Sequence, residues 1–210
     1  MALSSKALQQ KRAKKAVKRK SVKKSSTAAA PSGMAAEWLL AAKAPIADVY
    51  TPEGLFEKGI GSIWFSRKLA DGRYAMSAFL VDTFCLGVKS SLFTITSAQQ
   101  YRYEMDHFLQ ESGEKFVARD PAYVRKLVEL AVDFSGKLGL EPDIDYKIAK
   151  IIFGNVDASA CDETFHFGRD GNPVYIPGPS DSLSDQRRII KQLEKISRDP
   201  VALLTGGFDD

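Results

Sequence analysis

The first 35 residues carry ten basic side chains and no acidic one, and few of these residues could contribute to a hydrophobic core. A folded domain must therefore be built from the residues that follow. The whole chain has 30 basic and 26 acidic residues, so residues 36–210 carry 20 basic against 26 acidic side chains, a net charge of −6. This division predicts a disordered basic arm, residues 1–35, joined to a mildly acidic body.

The composition of the arm predicts a polyanionic partner. Each phosphate that a Lys or Arg neutralises releases condensed counterions, which favours the binding of nucleic acid. The arm has no aromatic residue on which a base could stack, so we expect its binding to ignore sequence. A solubilising tail, a nuclear import signal and contact with another anionic surface are the alternative interpretations. The residues assigned to nucleic-acid contact are Lys11, Arg12, Lys14, Lys15, Lys18, Arg19, Lys20, Lys23 and Lys24.

Residues 36–198 are predicted to form a single domain, followed by a loose tail over residues 199–210. The chain is 44% hydrophobic, which suffices for one ordinary core. No stretch approaches the roughly 20 apolar residues that cross a bilayer, and the basic N-terminus lacks the apolar segment of a secretory signal. The two cysteines, Cys85 and Cys161, argue against a disulfide scaffold and fit a reducing, cytoplasmic location.

Turn signals predict an α+β fold, in which two β-hairpins form a mainly antiparallel sheet with helices packed against it. Asp71-Gly72 is typical of a tight hairpin turn and lies between apolar runs that extend over residues 60–88. Asp170-Gly171 marks the turn of the second hairpin.

The helices are predicted from caps and from apolar stripes. Ser97 caps one helix, and Asp120-Pro121 combines a cap with a proline in the first turn of the next. A shorter helix is expected from Pro142 to Phe153, with Ile144, Ile148 and Ile151 facing inward. A last helix begins at Ser182 or Ser184.

The segment LVDTFCLGVK, residues 80–89, places three reactive groups in an apolar run. In one long strand over residues 74–88, Asp82 points to the opposite face from Cys85 and Lys89. The three groups can form one site only if a bulge, for example at Gly87, shifts the register. Cys85 is then expected to be an inert core thiol. Asp82 is expected to accept backbone N–H bonds or to pair with an arginine, with a functional carboxylate of raised pKa as the alternative.

A second cluster of polar and aromatic residues surrounds the Asp170-Gly171 turn. Arg169, Asn172 and Tyr175 are candidates for a recognition loop, and turn chemistry alone is the alternative interpretation. The only histidines lack the spacing of metal ligands, and no glycine pattern matches a nucleotide-binding fingerprint. No metal and no cofactor is therefore predicted.

Two segments resemble a group of uncharacterised bacterial proteins. They are FLVDTFCLGVKSSLF and FGNVDASACDETFHFGRDGNPVYIPGP, and the group also begins with a Lys/Arg-rich arm similar to MALSSKALQQKRAKK. No function is attached to this group, so the resemblance implies only a bacterial cytosolic protein and assigns no site residue.

These observations lead to three functional hypotheses. The first is a non-enzymatic protein that associates with nucleic acid, above all RNA or the ribosome, through the arm. The second is a hydrolase or nuclease that acts on nucleic acid with Asp82, which should then share a cleft with an acid such as Asp157 or Asp162. The third is a protein-interaction module whose acidic body contacts a basic partner.

Overall fold

A computed structural model describes residues 33–111, 113–179 and 181–196 of the chain. Residues 33–35, predicted as the end of the basic arm, begin the first helix. The remainder of the predicted arm and the predicted tail over residues 199–210 lie outside the described residues.

Five strands form one sheet in the order β4-β3-β2-β1-β5, and every neighbouring pair is antiparallel. The prediction of an antiparallel sheet is confirmed. The strands are β1 (Ile46–Pro52), β2 (Ile60–Lys68), β3 (Tyr74–Asp82), β4 (Gly87–Thr96) and β5 (Phe116–Ala118).

Helices connect the strands and pack on the sheet, which confirms the α+β class. Within the described residues, none of them combines the length and the apolar content that a membrane span requires. The α-helices are α1 (Gly33–Ala41), α2 (Leu55–Lys58), α3 (Ala98–Glu111), α4 (Pro121–Lys137), α5 (Tyr146–Ala149) and α6 (Leu183–Ile196), and 3₁₀-helices cover Lys150–Phe153 and Ala158–Ala160.

The predicted turn at Asp71-Gly72 joins β2 to β3. Gly72 adopts a φ of 86°, and the Asp71 carboxylate accepts a hydrogen bond from the Arg73 N–H at 3.0 Å. The two strands then pair without interruption from Lys68–Tyr74 to Ile60–Asp82. Local turn chemistry therefore sets the register at the centre of the sheet.

Both faces of the sheet are covered. Successive residues of a strand point to opposite faces, so β2 sends Ile63 and Phe65 to one side and Trp64 to the other. The first side packs on α4, which starts as predicted: the Asp120 carboxylate caps the Ala122 N–H at 2.7 Å, and proline follows in the first turn. The buried residues of α4 on this side are Val124, Leu127, Val128 and Ala131, and on the second side Trp64 and Met76 pack on Tyr101 of α3.

The prediction of a second hairpin needs correction. Asp170 and Gly171 do turn the chain, with φ values of 53° and 80°, but only the pair Arg169–Asn172 bridges the turn. The flanking residues form no ladder with each other, because their backbone groups bond elsewhere. The Gly168 and Val174 N–H groups donate to the carbonyl groups of Thr83 and Phe84, which lie between β3 and β4.

The inward face predicted for residues 142–153 is wrong at Ile144 and Ile148, whereas Ile151 is partly buried and packs against the core as predicted. Helix α5 lasts one turn and continues as a 3₁₀-helix, which shifts the apolar stripe because the period falls from 3.6 to 3 residues. The buried residues of the segment are Tyr146, Ala149, Ile152 and Phe153. Ile144 and Ile148 are instead 78% and 38% exposed.

Arg67 of β2 is a buried cation, with only 3% of its surface exposed. Its guanidinium donates to the carbonyl oxygens of Ile152 at 2.6 Å and Phe153 at 2.8 Å, and to that of Ala44. These carbonyl groups lie at or just beyond helix C-termini, where no intrahelical partner is available. One side chain therefore joins the sheet to the ends of α1 and the 3₁₀-helix.

Replacing Arg67 with Met is expected to reduce the free energy of unfolding by about 3 kcal/mol, because it leaves buried carbonyl groups without a donor. Urea unfolding followed by tryptophan fluorescence measures this change. Arg73→Met is the matched control, since the Arg73 side chain is 42% exposed and water screens its surface ion pairs with Asp71 and Glu37, so its loss should destabilise the fold much less. Equal losses in the two variants would contradict a structural role for Arg67.

Candidate functional site

The segment LVDTFCLGVK forms the tip of the β3–β4 hairpin and not a single long strand. Strand β3 ends at Asp82, residues 83–86 turn the chain, and β4 begins at Gly87, whose φ is 65°. The Asp82 Oδ1 accepts the backbone N–H groups of Phe84 and Cys85, both at 2.9 Å. The prediction that backbone N–H groups satisfy Asp82 is confirmed, and its carboxylate holds the turn closed.

This turn is buried, which is unusual for a hairpin connection. Thr83 and Cys85 are fully enclosed, and Phe84 and Leu86 are each 9% exposed. Residues 168–175 cover the turn through the two backbone bonds described above. Helix α6 closes the other side, where Ile189 and Leu193 pack with Cys85 and Tyr175.

Burial controls the protonation of the two reactive groups in the turn. It raises the pKa of the Asp82 carboxyl, and the N–H groups of the turn and the charge of Lys89 offset this only in part. Burial also raises the pKa of the Cys85 thiol to about 12. A thiol in this environment is a poor nucleophile at neutral pH.

A β-bulge reorients Lys89 at the start of β4. Leu80 pairs with Ser90 and Val81 pairs with Val88, so Lys89 is the extra residue between them. The bulge that the sequence left open, with Gly87 as the example, lies two residues further along the chain, at Lys89. Lys89 and Asp82 line the same cavity because the chain reverses between them, whereas one continuous strand would place them on opposite faces.

Lys89 is held by a long-range ion pair. Its Nζ donates to the Asp181 Oδ2 at 2.8 Å, and the same oxygen accepts the Tyr175 hydroxyl and the Gly178 N–H, each at 2.9 Å. Burial opposes ionisation of Asp181, but these three donors outweigh it and hold the pKa of the carboxyl below its usual value. Burial and the bond to Asp181 raise the pKa of the Tyr175 hydroxyl.

The cavity between the turn and residues 174–179, which we call the tip slot, has a volume of about 200 Å³. Its walls are mainly apolar and include Ile60, Phe84 and Pro177. Lys58, Lys89 and Asp82 contribute its charged groups. A slot of this size and polarity can enclose one large apolar side chain or a small apolar molecule.

The predicted recognition loop is divided by the structure. Arg169 and Asn172 are exposed and bond to each other through their backbones at the turn. Tyr175 is completely buried, so its assignment to an exposed recognition surface is wrong. The burial of Tyr175 could not be predicted from its neighbours in sequence, because the side chains around it come from Cys85 and α6, which are distant in the chain or belong to another element.

The structure does not bring together the acids expected of a nuclease site. The tip slot is lined by Asp82, but neither Asp157 nor Asp162 reaches it. The Asp157 carboxylate accepts the Ser159 N–H and hydroxyl at 2.9 and 2.7 Å. Among the described residues, no group of three or more His, Cys, Asp or Glu could hold a metal ion.

Comparison with protein-family models, with curated proteins and with solved structures finds no match in any of the three. The tip contains a capped turn, an ion pair in which one carboxylate oxygen accepts three donors, and a packed thiol, and the slot lies beside them.

Asp181→Asn is expected to destabilise the fold by about 2 kcal/mol at pH 7, because Lys89 loses its anionic partner. The pKa of Asp181 is depressed, so its contribution is complete above the unfolded-state pKa of about 3.9 and falls as the pH drops through the lower folded-state pKa. The difference between wild type and variant should therefore shrink below about pH 4 in urea titrations. Asp162→Asn, at an exposed position, is the control. If the free energies of unfolding of the wild type and Asp181→Asn differed by the same amount from pH 7 to pH 3, Asp181 would not be the ionised partner of Lys89.

Cys85 is expected to resist alkylation in the folded protein. At pH 8, a thiol with a pKa of about 12 has a thiolate fraction about 1,000-fold smaller than an ordinary cysteine, and burial slows its reaction further. Iodoacetamide labelling followed by peptide mass spectrometry reports Cys85 separately from Cys161. The urea-unfolded protein supplies the reference rate, and native labelling of Cys85 within tenfold of that rate would exclude an inert thiol.

Proposed function

We propose that this chain is a non-enzymatic protein that associates with nucleic acid, most directly RNA or the ribosome, through its basic N-terminal arm. The observation that carries the proposal is the separation of charge along the chain. Ten basic and no acidic residues precede position 36, whereas the rest of the chain has a net charge of −6. Counterion release gives such an arm its affinity for nucleic acid. The body is net acidic, so its charge does not increase that affinity.

The body supports a binding role better than a catalytic one. The second hypothesis required Asp82 to act in a cleft with other acids, but this carboxylate accepts the N–H groups of its own turn. Lys89 is engaged by Asp181, and the Cys85 thiol is enclosed. These residues are better explained as the groups that hold the hairpin tip together.

We further propose a cytoplasmic location, since Cys85 and Cys161 are both free and buried. The arm is expected to bind any exposed phosphate backbone, because it offers charge without a base-stacking surface. Specificity, where it exists, must come from the body.

Deletion of residues 1–32, which leaves α1 intact, should abolish high-affinity binding of labelled RNA and duplex DNA in polarisation assays. If the arm contacts about six phosphates of a duplex, log K of the full chain should fall with log salt at a slope of roughly −5. Binding that survives the deletion, or that does not respond to salt, would contradict the proposal.

Two matched variants distinguish an effect of the arm from a general effect of positive charge on the chain. Lys14→Gln, Lys15→Gln and Lys18→Gln together should reduce the salt slope by up to about three, one for each lost phosphate contact. Arg187→Gln, Arg188→Gln and Lys191→Gln remove the same charge from α6 and should change affinity by less than about threefold, because the proposal places no phosphate contact on this helix. A larger effect from the α6 variant would place the nucleic-acid contact on the body.

A further inference from the structure

Strand β4 is a terminal strand of the sheet, and only its first half is covered on the outer edge. The Asp143 N–H donates to the Val88 carbonyl at 2.9 Å, and the Asp143 Oδ1 accepts the Ser91 N–H at 3.1 Å. One aspartate therefore satisfies the outward backbone groups of residues 88–91, in the region that also contains the bulge at Lys89.

No described residue covers the second half of β4 in this way. Because backbone groups alternate in direction along a strand, the outward N–H of Ser91 means that Phe93 and Ile95 also direct their N–H and C=O groups outward. Among the described residues, no hydrogen bond reaches these four groups. We call residues 92–96 the open edge.

Exposed apolar side chains surround the open edge. Leu92 is 56% exposed, and Ile144, which directly follows Asp143, is 78% exposed. Ile148 is 38% exposed, and its carbonyl accepts the Trp38 indole N–H at 2.9 Å. The Trp38 ring contacts the Phe93 ring, with 5.4 Å between centroids, so Ile148 lies beside the same strand. Two isoleucines predicted for the core are thus placed beside unpaired strand backbone.

The open edge lacks the residues that usually prevent a strand edge from pairing with another strand. Proteins protect free edges with Lys, Pro or bulges, but residues 90–100, SSLFTITSAQQ, contain no charged residue and no proline. The opposite edge of the sheet is different. Strand β5 has only three residues and is followed by Arg119, Asp120 and Pro121.

We propose that the open edge pairs with the open edge of a second copy of this chain, in antiparallel orientation about a two-fold axis. A neutral strand offers no charge to attract a basic or an acidic partner, whereas two copies of it meet without like charges opposed. Self-pairing of a single edge closes after two chains. Pairing of β4 with β5 would instead build an open filament on a three-residue strand. The result is one continuous ten-stranded sheet, twice the five strands of one chain.

The dimer is tested by light scattering on the full chain, over a dilution series, after nuclease treatment and in about 0.5 M salt, where contacts through nucleic acid are suppressed. We expect twice the mass of one chain. Leu92→Glu should raise the dissociation constant on the order of 100-fold, because each dimer contains the substitution twice. Leu183→Glu, at a leucine 70% exposed on α6, is the matched control and should leave the mass unchanged.

Hydrogen exchange of the wild-type chain gives a readout that needs no variant. The amides of Phe93 and Ile95 should be protected at high concentration and become exposed on dilution. A chain that is monomeric throughout with fast exchange at both amides would overturn the proposal. A monomer with both amides protected would also overturn it, since the edge would then pair within its own chain. Neither outcome bears on whether the arm binds nucleic acid, because no nucleic acid is present.

Discussion

The turn between β3 and β4 depends on one carboxylate, Asp82, that binds two backbone N–H groups inside the protein. Because the chain reverses within four residues, β4 lies beside β3 and the bulge at Lys89 falls next to the tip. Burial of this turn requires a cover, which residues 168–175 and α6 supply. The ion pair from Lys89 to Asp181 then ties that cover to the sheet.

The three most reactive side chains of the segment LVDTFCLGVK all have structural roles in or beside this turn. Asp82 closes the turn, Lys89 anchors a loop 92 residues away, and Cys85 packs against Tyr175 and α6. The described part of the body leaves two other features accessible: a small apolar slot at the tip, and backbone along the second half of β4 that no described residue pairs. Both features suit the binding role proposed above.

Sequence reasoning succeeded where local chemistry decides the structure. Asp71-Gly72 and Asp120-Pro121 carry their own turn and cap signals, and both act as predicted. It failed at residues 83–86, because Thr, Phe, Cys and Leu are typical of a strand and only tertiary burial makes them a turn. The ion pair between Lys89 and Asp181 could not be predicted, because no local sequence pattern links two residues that lie 92 positions apart. Ile144 and Ile148 are exposed for a related reason: an apolar side chain need not lie in the core, and only the tertiary fold decides which ones do.

We propose that the arm contacts phosphate and that the folded body does not. Acetylation of the lysine side chains of the full chain with and without RNA, followed by mass spectrometry of the peptides, tests this proposal most directly. We predict that RNA protects lysines within residues 1–32 and that the protection disappears as salt rises. Protection that persists in high salt and maps to the lysines of the tip slot or of α6 would contradict it.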